Sequence, residues 1–261
     1  MRFPIPAGWL LVLLLWAVSE SLAQGVEQYF QGPQAAEFLT RAEITTLGPG
    51  STVSTATAEM NGLKLTVIWT PPVLQVDRGA DVDLLNGWRK EIAAYKIDQL
   101  IGLKMVPAAV ERTFGLGTGS LQLRPGAPMT EADRLQKRVS PPNGELWDQL
   151  MSKVRLYDYL LCNRGRAERS ILVTVDFQVR LLDHSRALPR TCNLNYLTMP
   201  TRFSKSLLAG LETLNESVLD ERIGKYLNSF QIYDLLQRKN MILEAARKRI
   251  AERGEAVTLY P

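Results

Sequence analysis

The most informative segment of the sequence is YDYLLCNRGRAERSILVTVDFQVRLLDHSRAL, residues 157–188. A predicted helix leads into a polar loop, Asn163–Ser170. The apolar runs Ile171–Val175 and Val179–Leu182 then predict a β-hairpin, because each is short, rich in branched residues and bounded by polar turn residues. An acidic turn beginning at Asp183 leaves the second strand. The polar loop and Asp183 are therefore the candidate positions for chemistry.

The chain before this segment is predicted to be rich in β-structure, with one helix. Asn61-Gly62 lies between two alternating runs and is the strongest short signal for a hairpin. The helix has apolar residues at helical spacing and ends near Gly102. The predicted strands are Glu37–Thr46, Val53–Met60, Leu63–Thr70 and Ser120–Leu123, and the predicted helix is Leu84–Leu103.

The segment 124–144 contains four prolines and many charged residues, and it is predicted to connect two lobes. The lobe before it, residues 37–123, is the β-rich one. The lobe after it, residues 145–261, is predicted to be mainly helical, with helices near 145–161, 203–213, 216–226 and 229–253. The fold class is therefore α+β and bilobal, with a β-rich small lobe and a helical large lobe.

The first 23 residues have the pattern of a signal peptide. Arg2 precedes the apolar run Trp9–Val18, and Ser21-Leu22-Ala23 offers small residues at the positions that a signal peptidase recognises. An uncleaved anchor is the alternative, but the strongly apolar centre is about ten residues long against about 20 for a spanning helix. We expect a periplasmic or secreted protein that begins with a flexible segment, 24–36, and has no integral membrane span after signal removal.

Composition and cysteine content narrow the function classes. The 261 residues include 31 basic and 27 acidic side chains, interspersed along the chain, and this balance does not predict a nucleic-acid partner. An oxidising compartment would permit a disulfide between Cys162 and Cys192, and two buried free thiols are the alternative. With a single histidine and no Cys-x-x-Cys motif, a zinc site is not expected.

Several segments carry a resemblance to a known family, and they occur in the family's order. They are Glu37–Thr52, Glu91–Asp98, Leu103–Pro107, Val110–Arg112, Gly119–Gln122, residues 157–188, and Arg249–Glu255 with Leu259-Tyr260. Together they resemble a bacterial group within the kinase-like superfamily that is distantly related to HipA-type kinases, phosphatidylinositol-kinase-like domains and secretory-pathway protein kinases. The resemblance covers nearly all of the mature chain and implies a kinase-like fold.

The large lobe departs from the family pattern at two positions. The family loop has the form Asn-x-Asp-Arg-x-x-x-Asn, whereas residues 163–170 read NRGRAERS. The resemblance therefore places Gly165 at the position of the catalytic Asp and Ser170 at that of the metal-binding Asn. Glycine has no side chain to accept a proton, and a hydroxyl is a poorer Mg²⁺ ligand than an amide carbonyl.

In the small lobe the family has a phosphate-binding Lys near the end of a strand, and Trp69 stands at that position. Lys64 lies earlier in the same strand and would need a change of register to replace it. Glu91, the expected partner of that Lys, is retained, and Asp183 is retained as a metal ligand. If nucleotide binding is retained, the resemblance implies ATP with Mg²⁺ or Mn²⁺ as the cofactor.

Alternatives remain open at several of these positions. Asp183 could bind a cation or could cap a turn beside Ser185. Glu168 could replace the missing carboxylate or could be a solvated loop residue, and a structural role is favoured for His184. The loop arginines could receive a phosphate or an acidic peptide, or could be solvated; they are Arg164, Arg166 and Arg169.

Three functions follow from these patterns. The favoured one is a catalytically impaired pseudokinase that acts by binding a protein partner or an active paralogous kinase. The second is an atypical phosphotransferase or nucleotide-dependent enzyme that uses Asp183, alone or together with Glu168. The third is a non-enzymatic structural or binding protein that retains only the fold.

Overall fold

A computed structural model describes residues 32–45, 53–72, 86–114 and 117–261. The predicted signal peptide, residues 1–23, lies outside the described residues, as does most of the segment 24–36.

The small lobe is rich in β-structure, as predicted, and its strands form an antiparallel sheet. Its strands are β1 (Glu43–Ile44), β2 (Ser54–Met60), β3 (Leu63–Thr70), β4 (Ala109–Phe114) and β5 (Gly117–Leu123), in the spatial order β1-β2-β3-β5-β4. The hairpin of β2 and β3 turns at Asn61-Gly62, as expected. Both residues have positive φ, 53° and 79°, which a two-residue turn of this type requires.

A helix precedes this sheet where the sequence analysis predicts a strand. Helix α1 (Pro33–Arg41) replaces most of the predicted strand Glu37–Thr46, of which only β1 is extended. It also includes residues 33–36, which were expected to be flexible. Those two predictions are wrong for these residues.

The physical reason is the spacing of the apolar side chains in α1. Ala35, Phe38 and Leu39 are separated by three and four positions, so they share one helical face, and all three are buried. Pro33 stands in the first turn, where its missing N–H costs nothing. The Arg112 guanidinium in β4 donates to the Leu39 carbonyl of α1 at 2.6 Å, which ties this helix to the sheet.

Helix α2 (Gly87–Ile101) is buried on most of its surface and joins the two lobes. It ends at Gly102, whose φ of 69° is the left-handed conformation that commonly closes a helix. The buried Asp98 carboxylate accepts the backbone N–H groups of Met105 and Val106, each at 2.8 Å. The Tyr157 hydroxyl of the large lobe donates to the Ala94 carbonyl, which ties α2 to that lobe.

The segment 124–144, predicted as a connection, contains regular structure. It holds strand β6 (Met129–Thr130) and helix α3 (Glu131–Gln136), which begins with a capping box formed by Thr130 and Asp133. Strand β6 pairs with the β-hairpin of the large lobe. The segment therefore packs as part of the large lobe.

The large lobe contains the predicted helices and hairpin. Its helices are α4 (Gly144–Leu161), α5 (Lys205–Glu212), α6 (Glu216–Ile223), α7 (Ser229–Arg253) and α8 (Glu255–Thr258), and its strands are β7 (Ile171–Val173), β8 (Val179–Leu181), β9 (Phe203–Ser204) and β10 (Leu259–Tyr260). Buried Arg238 of α7 donates from Nε to the Leu160 carbonyl of α4 at 2.7 Å. Within the described ranges, none of the helices has the length and apolar character needed to cross a membrane.

Candidate functional site

The candidate site begins where α4 ends. Cys162 takes the left-handed conformation there, with φ at 50°, and turns the chain into the polar loop. Its sulfur is bonded to Cys192, and the two Cα atoms lie 6.0 Å apart. Both cysteines of the chain are therefore in a disulfide, which decides between the two alternatives. The bond closes a segment that contains Gly165, Ser170 and Asp183.

Arg166 lies at the centre of a buried polar cluster in this segment. Its Nε and Nη2 donate to Asp158 Oδ1 of α4 at 3.1 and 3.0 Å, and both side chains are less than a tenth exposed. Nη1 donates to the Leu182 carbonyl and to Ser170 Oγ. Arg164 and Arg169 are exposed, which is compatible with both of their alternative roles, whereas Arg166 is not solvated.

His184 continues the cluster toward the small lobe and is fully buried. Its Nε2 lies 2.9 Å from Arg166 Nη2, and its Nδ1 lies 3.3 Å from Glu91 Oε2. Because a guanidinium only donates, Nε2 must accept, and the proton is on Nδ1, where it points to Glu91. Burial, reinforced by the charge of Arg166, lowers the pKa of His184 to about 3. The expected structural role of this histidine agrees with these contacts.

Glu91 of α2 is held by the turn that follows β8. Its Oε1 accepts the His184 backbone N–H at 2.8 Å, and its Oε2 faces the His184 ring. Burial raises the pKa of Glu91 to about 8, with a further contribution from the negative charge of Asp183. The carboxylate that the resemblance assigns to a lysine partner is thus engaged by His184.

Trp69 and Lys64 lie on opposite faces of β3, five residues and roughly 16 Å apart. The Trp69 ring is buried and meets the Phe114 ring edge-on, with 4.7 Å between centroids. A Cβ on Gly119 would lie 2.6 Å from the Trp69 ring, so this glycine allows the close contact. Lys64 is exposed and pairs with Glu59 of β2 at 3.2 Å. Lys64 is therefore not placed to replace a lysine at position 69.

The three loop positions face different surroundings. Gly165 is exposed, and a Cβ added there would lie 3.1 Å from Arg186 Cδ, so the Arg186 side chain lies beside this position. Ser170 is buried, and its hydroxyl donates to the Ala167 carbonyl at 2.7 Å. Glu168 is exposed at the start of a short 3-10 turn. The structure thus leaves Glu168 in solvent and turns Ser170 inward.

Asp183 is exposed in the left-handed conformation, with φ at 58°. Its Oδ1 accepts a hydrogen bond from the Ser185 hydroxyl at 2.8 Å. This contact corresponds to one of the two alternatives for Asp183, the capping of a turn beside Ser185. In the part of the chain that the structure describes, Asp183 does not belong to a group of three His, Cys, Asp or Glu side chains suited to a metal ion. Ser170 is turned inward and Glu91 is engaged by His184, so the polar groups of both residues make contacts within the protein.

The sequence singled out Glu91 and Asp183, whose functional roles stay predictions, but Asp158 and the central place of Arg166 were missed. Asp158 lies on the apolar side of α4, five residues before Asn163, whose Nδ2 also donates to its Oδ1 at 3.1 Å. A carboxylate on the buried face of a predicted helix was the available signal, because such a group requires a partner.

Comparison with known proteins gives structural neighbours only. No family model matches the chain, and no curated protein matches it in sequence. The structure of hydra Fam20 with sugar aligns at a TM-score of 0.60 and 15% identity, covering 86% of this chain and 90% of the other. The Helicobacter pylori proinflammatory kinase CtkA aligns at a TM-score of 0.53 and 13% identity, covering 82% of this chain and 97% of the other. Likeness at these identities shows a shared fold.

Proposed function

We propose that this chain, whose fold is kinase-like, is exported and catalytically impaired and acts by binding a protein partner, such as an active paralogous kinase. The observation that carries the proposal is the engagement of Glu91 by His184 through both carboxylate oxygens. A kinase keeps this glutamate for the lysine that holds the nucleotide phosphates. Here the glutamate stabilises the turn after β8.

The surrounding positions support the same conclusion. Phosphoryl transfer needs cations to neutralise the phosphate oxygens and a group to orient the attacking hydroxyl. Trp69 supplies an apolar ring in aromatic packing, and Gly165 supplies no side chain and lies beside Arg186. The hydrogen-bonded cluster instead links α4 to α2, which favours a rigid scaffold for binding.

Export is supported by the sequence of residues 1–23 and by the disulfide. Disulfides persist in oxidising compartments and are rare in the cytosol. N-terminal sequencing of the protein recovered from the periplasm or medium of its producing cells should find Gln24 as the first residue. A protein that keeps Met1 or is found only in the cytosol would refute this part of the proposal.

Nucleotide titration tests catalytic impairment. The purified protein is heated with ATP and Mg²⁺ or Mn²⁺, beside the Asp183→Ala variant, and transfer of labelled γ-phosphate to itself and to a general acceptor protein is measured in parallel. We expect no transfer of phosphate. We also expect no metal-dependent rise in Tm that the wild type shows and the variant lacks, because a nucleotide bound to the folded protein would raise Tm by mass action.

One observation favours an atypical enzyme as the second candidate. The Asp183 carboxylate is exposed, and its hydrogen bond to Ser185 is compatible with approach of a cation. A rise in Tm that requires metal and disappears in Asp183→Ala, together with phosphate transfer, would replace the first proposal by this one. Nucleotide binding without transfer would leave impairment standing and point to a nucleotide-regulated binding protein.

A further inference from the structure

A cavity of about 440 Å³ lies between α1, α2, β4 and the end of α6. We call it the α2 cavity, because one wall is formed by four residues spaced as a single face of that helix: Ile92, Tyr95, Lys96 and Gln99. Its volume is in the range of small-molecule sites. The cavity is separate from the candidate nucleotide positions, since Trp69, Glu91 and Asp183 are not among its lining residues.

Part of the wall of the α2 cavity is apolar and belongs to buried structure. Ala36 of α1, Ile92 of α2 and Val110 of β4 line it, and Ile92 is fully buried. The Tyr95 side chain is also buried, and its hydroxyl accepts a hydrogen bond from Gln99 Nε2 at 2.7 Å, which holds the ring against the cavity. A wall of this kind favours a ligand with an apolar body.

Two cationic side chains from different helices also line the α2 cavity: Lys96 of α2 and Arg222 of α6. Lys96 is half-buried, and its Nζ lies 5.9 Å from the centre of the Tyr226 ring, another part of the lining. Burial lowers the pKa of Lys96, and the nearby positive charges of Arg222 and Lys225 lower it further. The Lys96 ammonium is therefore destabilised by its neighbours, and an anion bound between Lys96 and Arg222 would offset that repulsion.

The Glu111 carboxylate of β4 lines the same cavity and is directed to a different cation. Its Oε2 lies 2.8 Å from Lys225 Nζ, and hydrogen bonding to Glu111 raises the pKa of Lys225. The pKa of Lys96 stays lowered although Glu111 is part of the same lining. An incoming anion therefore has more to gain beside Lys96 than beside Lys225.

We propose that the α2 cavity binds a small organic carboxylate, whose charged group lies between Lys96 and Arg222 and whose apolar body lies against the apolar wall. A planar carboxylate matches the paired N–H donors of a guanidinium, and an ammonium adds a further donor. An inorganic anion would leave the wall formed by Ala36, Ile92 and Val110 in contact with water. The proposal does not depend on the presence or absence of kinase activity.

Titration of the purified protein with hydrocinnamate at fixed ionic strength, followed by the NMR shifts of the backbone amides, tests the proposal. The matched ligand is hydrocinnamamide, which has the same body and no charge. The first test variant is Lys96→Gln with Arg222→Gln. Its control is Lys248→Gln with Arg253→Gln, two exposed cations of α7 outside the lining. The second test variant, Ala36→Phe, keeps every charge and adds a ring at the cavity wall. Thermal unfolding shows that each variant is folded.

We expect hydrocinnamate to produce saturable shifts in the amides of α2 and β4 of the wild type. The control should bind it with the same Kd within about twofold, and both test variants should bind it at least about tenfold more weakly. Hydrocinnamamide should bind the wild type at least about tenfold more weakly than hydrocinnamate, because it lacks the charge that Lys96 and Arg222 attract.

Two results on the wild type alone would overturn the proposal, so it stays testable even if a variant fails to fold. They are the absence of saturable shifts at up to about 10 mM hydrocinnamate, and equal affinity for the acid and the amide. Undiminished binding in either folded test variant would place the ligand outside the α2 cavity and would also overturn it. Equal weakening in the control would do the same, because it would indicate non-specific attraction to basic side chains.

Discussion

Removing the Cys162–Cys192 disulfide should destabilise the protein strongly, and the loop that it closes gives the magnitude. The two residues are 30 positions apart in sequence. In the chain-entropy description, cross-linking a loop of this length removes about 12 cal/mol/K from the unfolded state, which is about 3.6 kcal/mol at 25 °C. For a chain of this size the corresponding fall in Tm is roughly 7–15 °C.

Reduction is the cleanest form of this perturbation, because it breaks the bond without removing any side-chain atom from buried Cys162. Thermal unfolding of the oxidised and fully reduced protein is followed by circular dichroism, with free thiols counted at the end of each scan. The variant Cys162→Ala with Cys192→Ala should show the lowered Tm in both conditions and no response to reductant.

The unfolded state is the expected origin of the effect, so the near-ultraviolet spectrum of the folded protein should change little on reduction. An unchanged Tm in protein shown to carry two free thiols would refute the entropy argument. A loss of near-ultraviolet signal before unfolding would instead show that the disulfide holds the candidate site in its folded form.

Three other perturbations address the buried cluster and the small lobe. Arg166→Met should cost about 3–5 kcal/mol in urea unfolding because it leaves the charge of Asp158 buried without a counter-charge, and adding Asp158→Asn should recover part of that loss. The raised pKa of Glu91, about 8 against 4.5, means that the folded state keeps a proton that the unfolded state has lost, so stability falls as pH rises through this window. From about pH 6.5 to 8 the free energy of unfolding should fall by up to about 2 kcal/mol. The variant Glu91→Gln should have a urea midpoint that is nearly constant over that range. If the midpoint of the variant depends on pH as steeply as that of the wild type, another group carries the proton. Gly119→Ala should lower stability by about 1–3 kcal/mol, since the new Cβ would lie 2.3 Å from a backbone oxygen, whereas Gly126→Ala, with nothing within 4 Å, should be close to neutral in the same assay.

The local elements of the fold could be predicted because each depends on neighbouring residues. Asn61-Gly62 specifies a hairpin through the conformations of two residues, and Gly102 ends α2 for the same kind of reason. The exception is α1, which was predicted as a strand although Ala35, Phe38 and Leu39 have the spacing of one helical face.

The candidate site could be predicted only in part. Residue types alone show that Gly165 provides no acidic side chain and that Trp69 provides no charged one. The order of segments along the chain places Asp183 after the hairpin. Their surroundings could not be predicted: Glu91 meets the backbone of His184 across 93 positions of sequence. Residue type also does not distinguish Arg166 from its loop neighbours Arg164 and Arg169.

Burial separates these arginines, and burial depends on the tertiary packing of the chain. Asp158 points from α4 into the interior, and the loop that returns past it brings Arg166 within 3.0 Å, while Arg164 and Arg169 remain in solvent. Spacing along a chain fixes local backbone geometry, because the relevant atoms are a few bonds apart. It does not fix which distant groups meet, because that depends on the total free energy of burying every apolar and charged surface at once.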